Sequence, residues 1–283
     1  MYFKGDFHTH TNASDGKFSA HDLLILAKSK GIDIMAVTDH DTTDNLNPAI
    51  TLSKEANIKI IPGIELSTLH NGESIHILGY FKDSSYKEKN FQNFLSEMKE
   101  YRIWRAKKIV SNLKKFFNID LDYEDLTKYA RGVIARPHIA RAIMSAGYNY
   151  TYDYIFDNIL NKESPAYIPN KKVSVDEGIK ILKSANAIVV LAHPILIKKT
   201  SVDEMIKFNF DGIEAIYPLN SKNDTERFIS LAKKNNKLIT AGSDFHTDEI
   251  SDTKHGKLGD IYLDGENLDK LLKKLRSNNA SSR

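Results

Sequence analysis

The stretch SVDEGIKILKSANAIVVLAHP (174–194) contains one helix and one strand of an alternating fold. Ser174 and Glu177 form the pattern of a capping box, in which the serine oxygen and the later carboxylate satisfy free amides at a helix start. The wholly apolar run that follows, AIVVLA (187–192), is typical of a parallel strand that helices cover on both faces. His193 stands directly after it. The stretch therefore predicts a helix, a buried strand and a polar side chain at the strand's carboxyl end.

Six further β-rich runs alternate with amphipathic stretches along the chain. They span residues 2–8, 32–40, 58–66, 74–80, 212–217 and 237–246. Helix starts are predicted at Ser19, at Ser201 and near Asn223, and a last helix from about Glu266 to Arg276. Strands that alternate with helices indicate parallel βαβ units. Seven such strands are the number expected for an α/β barrel.

The alternation is interrupted between residues 81 and 172. The interruption opens with apolar residues near helical spacing, from Phe91 to Phe116, and contains no convincing strand. We therefore expect residues 1–82 and 171–283 to form the barrel. Residues 83–170 are expected to form a helical insertion, or cap, over the active site.

The composition excludes several classes of protein. The 283 residues are 41% hydrophobic and 27% charged with a net charge of +3, which is typical of a soluble globular chain without bulk affinity for nucleic acid or membranes. The absence of cysteine excludes disulfides, thiolate zinc sites and cysteine nucleophiles. No apolar leader is visible, and no run approaches the roughly 18 residues of a membrane span. A cytoplasmic protein with no obligate protein partner is expected.

Histidines are concentrated at the predicted strand ends. They are His8, His10, His40, His193 and His246 at strand ends and His76 inside a strand. The acidic residues beside them are Asp6, Asp15, Asp39, Glu65 and Asp244. Because the carboxyl ends of parallel strands meet at one mouth of a barrel, these side chains are expected to lie together. Imidazole and carboxylate groups bind Zn²⁺, Mn²⁺ or Fe²⁺, and a cluster this rich can hold more than one ion.

Some members of this set have alternative interpretations. Asp6 and Asp39 are less secure ligands, since a strand-end aspartate can instead orient a histidine ring. His21, His70 and His255 fall in helix or loop positions and are interpreted as solvated.

Six motifs resemble, in chain order, those of the PHP (polymerase and histidinol phosphatase) superfamily. They are DFHTHTNASDG (6–16), AVTDHDT (36–42), PGIELS (62–67), HILGYF (76–81), AHP (192–194) and GSDFH (242–246). The chain looks most similar to stand-alone phosphoesterases of the nucleoside 3′,5′-bisphosphate phosphatase and 5′–3′ exoribonuclease type. These also have an insertion with an Arg-Pro-His element, here residues 136–138.

The resemblance implies a distorted (β/α)7 barrel with a site for two or three divalent ions, whose identity among Mn, Zn and Fe stays open. It favours Asp15 as a ligand over Asp6 and Asp39. The three groups of ligands that it implies are His8, His10, Glu65 and Asp244; then Asp15, His40 and His246; and then Glu65, His76 and His193, in which Glu65 bridges.

The resemblance implies a reaction in which a phosphomonoester of a small nucleotide, such as a nucleoside 3′,5′-bisphosphate, is hydrolysed. A metal-bridging hydroxide would attack the phosphorus in line. His193 and Asp244 are the candidates for the general acid by position only. Arg136 and His138 of the insertion are candidates for binding a second phosphate, because a planar guanidinium grips phosphate with two hydrogen bonds. Alternatively, Arg136 only stabilises the cap. Arg102 and Arg105 either line the same substrate cavity or lie on a solvated helix face.

Other functions remain open at this point. A 5′–3′ exonuclease acting on short oligonucleotides would use the same site, although the weak net charge favours small substrates. Histidinol-phosphate phosphatase is a further enzyme alternative, and a metal-binding module without turnover is the non-enzyme one. The segment GIEAIYP (212–218) resembles a family stretch in which the residue before proline is often His or Tyr. Here Tyr217 offers a hydroxyl, and neither a metal ligand nor an imidazolium that binds phosphate.

Overall fold

The computed structural model describes residues 2–129, 134–169, 171–250 and 252–277. Its strands are β1 (Gly5–Asp6), β2 (Ile34–Val37), β3 (Lys59–His70), β4 (Glu73–Phe81), β5 (Ala187–Leu191), β6 (Gly212–Ile216) and β7 (Leu238–Ala241). Its helices are α1 (Ala20–Ser29), α2 (Leu46–Ala56), α3 (Lys89–Phe117), α4 (Tyr123–Tyr129), α5 (Arg136–Ser145), α6 (Tyr152–Tyr154), α7 (Val175–Ser184), α8 (Val202–Met205), α9 (Lys222–Lys234) and α10 (Gly265–Arg276). Single 3₁₀ turns lie at Ser84–Lys87 and Pro194–Leu196, and a π turn at Ile155–Ile159 follows α6.

The seven strands form one sheet in chain order that curls into a barrel. The edges approach each other where the Phe7 amide donates to the Ala241 carbonyl at 3.0 Å and the His10 amide donates to the Phe245 carbonyl at 2.9 Å. The predicted α/β barrel is thus confirmed as a seven-strand mixed sheet nearly closed on itself, with helices around it. Because it is nearly closed, the residues after its strands meet at one mouth.

One strand departs from the predicted parallel arrangement. β4 runs antiparallel to both β3 and β5. The reason is a two-residue turn, since Asn71 and Gly72 have φ of +50° and +71° and join the two strands with no room for a helix. The prediction of uniform βαβ units was wrong here. The reversal explains why His76 lies near the start of its strand, because that is the end of β4 that reaches the mouth.

The predicted helix starts are present. The Ser19 side chain accepts a hydrogen bond from the Asp22 amide, and the Ser174–Glu177 capping box is complete at α7. Ser201 caps α8, and Ser221, two residues before the predicted position, caps α9. The buried faces of these helices pack with the strands into one hydrophobic core.

The interrupted region is helical, as predicted, and has a second core. α3 is a 29-residue helix whose first part contributes Phe91 and Leu95 to the barrel core, while its second part contributes Ile109 and Leu113 to a separate cluster with α4 and α5. The division into a barrel and a cap stays a proposal, and these two clusters support it. In the part of the chain that the structure describes, no helix has both the length and the hydropathy to cross a bilayer.

Candidate metal centre

The site begins with β1 and its continuation through residues 7–10. His8 and His10 are both fully buried, two residues apart on an extended segment, so both rings point to the barrel interior. The Thr38 amide donates to the Thr9 carbonyl at 2.9 Å, which ties this segment to the end of β2. The two imidazoles are therefore held by sheet-like pairing.

Asp6 and Asp39 hold backbone segments and do not orient imidazole rings. Asp6 accepts hydrogen bonds from the Ser243 amide at 3.0 Å and the Ser243 hydroxyl at 2.6 Å. Asp39 accepts from the Thr11 amide at 2.7 Å and from the Ser14 hydroxyl at 2.6 Å. Each carboxylate thus fixes a loop that precedes another candidate ligand. The alternative in which they orient a histidine ring was wrong.

A first group of potential ligand atoms lies deepest in the mouth. The Nε2 atoms of His8 and His10 are each 3.2 Å from Glu65 Oε2 and 3.2 Å from Asp244 Oδ1. All four side chains are buried, and their atoms lie close enough to share one cation. This group has the same four members as the first group implied by the resemblance.

A second group lies nearer to solvent. His246 Nε2 is 3.1 Å from Asp15 Oδ1, and His40 Nε2 is 3.8 Å from Asp15 Oδ2. His10 Nδ1 also approaches Asp15 at 3.8 Å, so the ring of His10 faces both groups. The structure therefore brings the three predicted members of this group together and adds His10.

A third group surrounds the other oxygen of Glu65. His76 Nδ1 and His193 Nε2 are each 2.9 Å from Glu65 Oε1, whereas His40 Nδ1 is 3.0 Å from Oε2, the oxygen that faces the first group. The two oxygens of one carboxylate thus face different groups, which is the arrangement of a bridging ligand.

The donor set fits divalent cations. Among the residues that the structure describes, eight of eleven buried side-chain polar atoms without a hydrogen-bond partner belong to this cluster. They are His8 Nε2, both ring nitrogens of His10, Asp15 Oδ1, His40 Nδ1, Glu65 Oε2, His193 Nδ1 and Asp244 Oδ1. Buried polar atoms are normally paired, so a cluster of unpaired imidazole and carboxylate atoms fits the binding of cations. The assignment of the nine side chains as metal ligands stays a prediction.

Protonation equilibria in the first group are strongly coupled. Burial alone would raise the pKa of Asp244, but His8 and the other imidazoles lower it well below its ordinary value. Burial alone would lower the pKa of His10, yet the carboxylates of Asp244 and Glu65 raise it to about 10. Without a cation, protons therefore balance the charge of these carboxylates.

His40 behaves differently from His10. Burial lowers its pKa to about 3, and the carboxylates of Glu65 and Asp15 only partly oppose this. The pKa of Asp15 is lowered far below its ordinary value by His40 and His246, against the effect of burial. A neutral imidazole and an ionised carboxylate are the forms that bind a metal ion.

Two residues on or after β6, Glu214 and Tyr217, contact members of the cluster. Only Tyr217 was singled out from the sequence. Glu214 is fully buried, and the His8 ring nitrogen Nδ1 lies 3.0 Å from its Oε1. Tyr217 donates its hydroxyl proton to Asp244 Oδ2 at 2.8 Å. A carboxylate inside the otherwise apolar run GIEAI was the signal for Glu214.

The second group faces a cavity of about 970 Å³ between the barrel and the cap. Asp15 and His246 line its inner end, and His138 and Arg141 of α5 line the cap side. His255 also lines it, which corrects the interpretation of that residue as solvated. Its ring stacks on His246 at 4.0 Å between centroids, and its Nδ1 lies 2.9 Å from Asp252 Oδ2. His21 is exposed, as predicted.

Three arginines of the cap, Arg102, Arg105 and Arg136, are not among the residues that line this cavity, unlike Arg141. Arg136 donates to the Leu160 carbonyl at 3.2 Å and is not among the residues lining the cavity, so its role in phosphate binding stays a prediction. Arg105 is buried and donates to the Ile168 carbonyl at 2.7 Å, and burial lowers its pKa to about 10. Arg102 bonds Asp41 and the Ser67 hydroxyl. Arg102 and Arg105 are thus bonded within the protein and not solvated, which corrects that interpretation of them.

Comparison with known proteins gives consistent results. The family model of the PHP domain matches residues 6–165. A 5′–3′ exoribonuclease of Haemophilus influenzae is 28% identical over 252 residues, which cover 87% of this chain and 91% of that protein. A 3′,5′-nucleoside bisphosphate phosphatase of Chromobacterium violaceum is 25% identical over 250 residues, which cover 85% of this chain and 86% of that protein.

The fold has a close counterpart among solved structures. A proposed metal-dependent phosphoesterase from Bifidobacterium adolescentis superposes with a TM-score of 0.82 at 27% identity, covering 95% of this chain and 96% of that one. The resemblance indicated by the six motifs is thereby confirmed.

Proposed function

Because this chain belongs to the PHP domain family, we propose that it hydrolyses a phosphomonoester of a small nucleotide, such as a nucleoside 3′,5′-bisphosphate. The coarser activity is that of a metal-dependent phosphoester hydrolase, since its relatives are named as hydrolases of RNA and of nucleoside bisphosphates. One observation supports the proposal most strongly. Buried imidazole and carboxylate atoms without partners meet a cavity that is large enough for a nucleotide.

The proposal includes two or three divalent ions, Mn, Zn or Fe. In the bound state they supply polarisation of the phosphoryl oxygens and a nucleophilic water at neutral pH. The residues that would hold them are His8, His10, Asp15, His40, Glu65, His76, His193, Asp244 and His246. Their depressed carboxylate pKa values support this assignment, because an ionised carboxylate is the binding form.

His193 is our preferred donor of a proton to the leaving oxygen. Both His193 and Asp244 are members of the cluster, but Asp244 Oδ2 already accepts the Tyr217 hydroxyl proton. His193 Nδ1 has no hydrogen-bond partner among the described residues. This free ring nitrogen supports the choice of His193 over Asp244 as general acid.

The cap, residues 83–170, is proposed to bind the rest of the substrate. His138 is almost fully buried, and its Nδ1 accepts the Ala135 amide at 3.0 Å while the residue lines the cavity. Arg136 stands at the start of the same helix, and among the described residues its guanidinium is bonded to the Leu160 carbonyl and to no carboxylate. No described acidic group therefore offsets its charge, which supports a role in binding phosphate.

A 5′–3′ exonuclease acting on short oligonucleotides is the second candidate. The Haemophilus influenzae relative is named for this activity. Tyr152 lines the cavity and packs on Phe156 at 4.9 Å, so an aromatic surface is available to a base. Histidinol-phosphate phosphatase and a metal-binding module without turnover have no such observation in their favour. We propose a small phosphorylated substrate, no obligate protein partner and a cytoplasmic location.

Phosphate release tests the proposal. The purified chain, loaded with Mn²⁺, is assayed with a nucleoside 3′,5′-bisphosphate, a short 5′-phosphorylated RNA and histidinol phosphate. We expect the fastest release from the bisphosphate and loss of turnover after chelation. His21→Ala, an exposed histidine outside the cluster, is the matched control for changes at His10.

Each alternative has its own outcome in this assay. Preferential shortening of the RNA would assign the exonuclease function instead. Bound Mn²⁺ without turnover of any phosphate ester would favour the module and overturn the proposal.

A further inference from the structure

β6 differs from the other six strands of the barrel. Each of the others leads directly to, or contains, at least one of the nine candidate ligands, β5 through His193 beside Glu65, whereas none of the described residues of β6 belongs to them. Glu214 on β6 and Tyr217 just after it are nevertheless both buried against the cluster. These two side chains therefore need an explanation other than ligation.

The backbone of β6 brings both side chains to one face. Residues three apart on a regular strand point to opposite faces. Glu214 pairs with Thr240 and Ile216 pairs with Ala241, so a bulge inserts one extra residue directly after Glu214. A bulge re-aims the side chains that follow it. The extra residue is what allows Glu214 and Tyr217 to face the same interior.

Glu214 contacts two candidate ligands at once. Its Oε1 is 3.0 Å from His8 Nδ1, and its Oε2 accepts the His193 amide proton at 2.7 Å. His193 has φ of +24°, a backbone conformation that is unfavourable for a residue with a side chain. One carboxylate therefore orients the His8 ring and holds the strained backbone of His193.

Room for this carboxylate is provided by Gly242, the residue after β7. A Cβ placed on Gly242 would overlap the Cβ of His8 and lie 2.6 Å from Glu214 Oε1. The close packing of His8, Glu214 and residue 242 thus requires glycine.

Tyr217 orients the fourth member of the first group. Its hydroxyl donates to Asp244 Oδ2, which leaves Oδ1 facing His8 and His10. Asp244 itself has φ of +53°. A hydrogen bond to one oxygen therefore decides which oxygen is presented to the two imidazoles.

We propose that Glu214 and Tyr217 are positioning residues that set the metal affinity of the group formed by His8, His10, Glu65 and Asp244. Glu214 keeps a proton on His8 Nδ1, so the lone pair of Nε2 points into the group. Tyr217 keeps Asp244 Oδ1 in the same group. Such outer partners typically contribute 10- to 100-fold in metal affinity. This inference rests on the proposed function, because it takes the group to be a metal site.

Metal binding, measured without turnover, tests the inference. Mn²⁺ affinity is determined by competition with a chelating dye for the unmodified chain, Glu214→Gln, Tyr217→Phe and Tyr80→Phe. Tyr80→Phe is the matched control, since it also removes a buried hydroxyl bond, from Tyr80 to the Phe7 carbonyl at 3.0 Å, that reaches no candidate ligand side chain. We expect a roughly 10- to 100-fold loss for Glu214→Gln, a loss near the lower end for Tyr217→Phe, and none for Tyr80→Phe.

Co²⁺ spectra separate positioning from a general loss of structure. The visible absorption of Co²⁺ reports the donor atoms around it, so a displaced His8 changes the band shape in Glu214→Gln but not in Tyr80→Phe. If Glu214→Gln does not fold, the Mn²⁺ affinities of Tyr217→Phe and Tyr80→Phe are compared instead, and a loss in Tyr217→Phe alone supports the inference. Equal Mn²⁺ affinities in all four proteins would overturn the inference alone. Failure of the unmodified chain to bind Mn²⁺ would instead overturn the proposed function.

Discussion

The barrel mouth and the cap both bury charged side chains, but they satisfy them in opposite ways. In the cap, Arg105 and Arg136 donate to the backbone carbonyls of Ile168 and Leu160. At the mouth, carboxylate and imidazole atoms lie about 3 Å apart, and many have no hydrogen-bond partner among the described residues. The hydrogen bonds of the cap arginines stabilise the fold. The unpaired imidazole and carboxylate atoms at the mouth are instead suited to binding a ligand.

The largest effect is expected when one mouth residue is removed. His10→Ala or Glu65→Ala should lower kcat by on the order of 10²–10³-fold or more, as loss of a transition-state contact does, while the chain stays folded. Phosphate release and circular dichroism measure the two quantities. A variant with near-normal kcat would show that the cluster is not the catalytic centre.

The pH dependence of metal binding is a second property expected of the barrel mouth and not of the cap. Without metal, His10 has a pKa of about 10 and is protonated at neutral pH, so a cation must displace a proton to bind. Affinity for Mn²⁺ should therefore rise with pH, by up to about tenfold per unit for each proton displaced, until about pH 10. Titrations at several pH values measure this slope. An affinity that is independent of pH would contradict the protonated state of His10.

Metal addition should also stabilise the barrel. A ligand that binds only the folded chain adds about 2.7 kcal/mol to the free energy of unfolding at one hundred times its Kd. We expect Mn²⁺ to raise Tm and a chelator to lower it. In His10→Ala the shift should be much smaller, and an unchanged shift there would place the bound ion elsewhere.

A change inside the cap should lower stability without affecting metal binding. Arg105→Ala removes the bond to the Ile168 carbonyl and leaves that acceptor without its partner, which costs about 1–3 kcal/mol. Tm should fall while Mn²⁺ content stays unchanged. Loss of metal from this variant would show that the two regions are coupled more tightly than their contacts suggest.

The smallest effect is expected at Arg136. If it binds a second phosphate, Arg136→Ala should raise KM for a nucleoside bisphosphate several-fold more than KM for an aryl phosphate, because only the first substrate has that phosphate. Equal effects on both substrates would assign Arg136 to the cohesion of the cap. Steady-state kinetics with both substrates measure the difference.

The barrel and the ligand cluster were predictable because both depend on local patterns. Apolar runs that end in histidine or an acid mark buried strands whose ends meet. The choice of Asp15 over Asp6 and Asp39 came from the resemblance, and the structure brings the nine side chains so chosen together. The direction of β4 was missed, although the Asn71-Gly72 pair is a strong signal for a two-residue hairpin.

Residues whose surroundings come from distant segments were harder to predict. Arg105 lies on an amphipathic helix, where a charged residue usually faces solvent, and only the fold buries it. His255 and Glu214 are comparable cases. His8, the partner of Glu214, lies 206 residues away along the chain. His246, which stacks on His255, lies in the same segment after β7, but spacing along the chain does not show that the two rings meet.

The β3–β4 hairpin has a consequence for how the centre responds to its environment. Glu65 and His76 stand on adjacent strands of one continuous antiparallel ladder, paired with Leu78 and Ser67 respectively. Their separation is set by backbone pairing and not by any loop. When metal content or the cap changes, this carboxylate and imidazole should move as a unit. Adjustment is then left to Asp15 and His246, whose positions after β1 and β7 depend on loops.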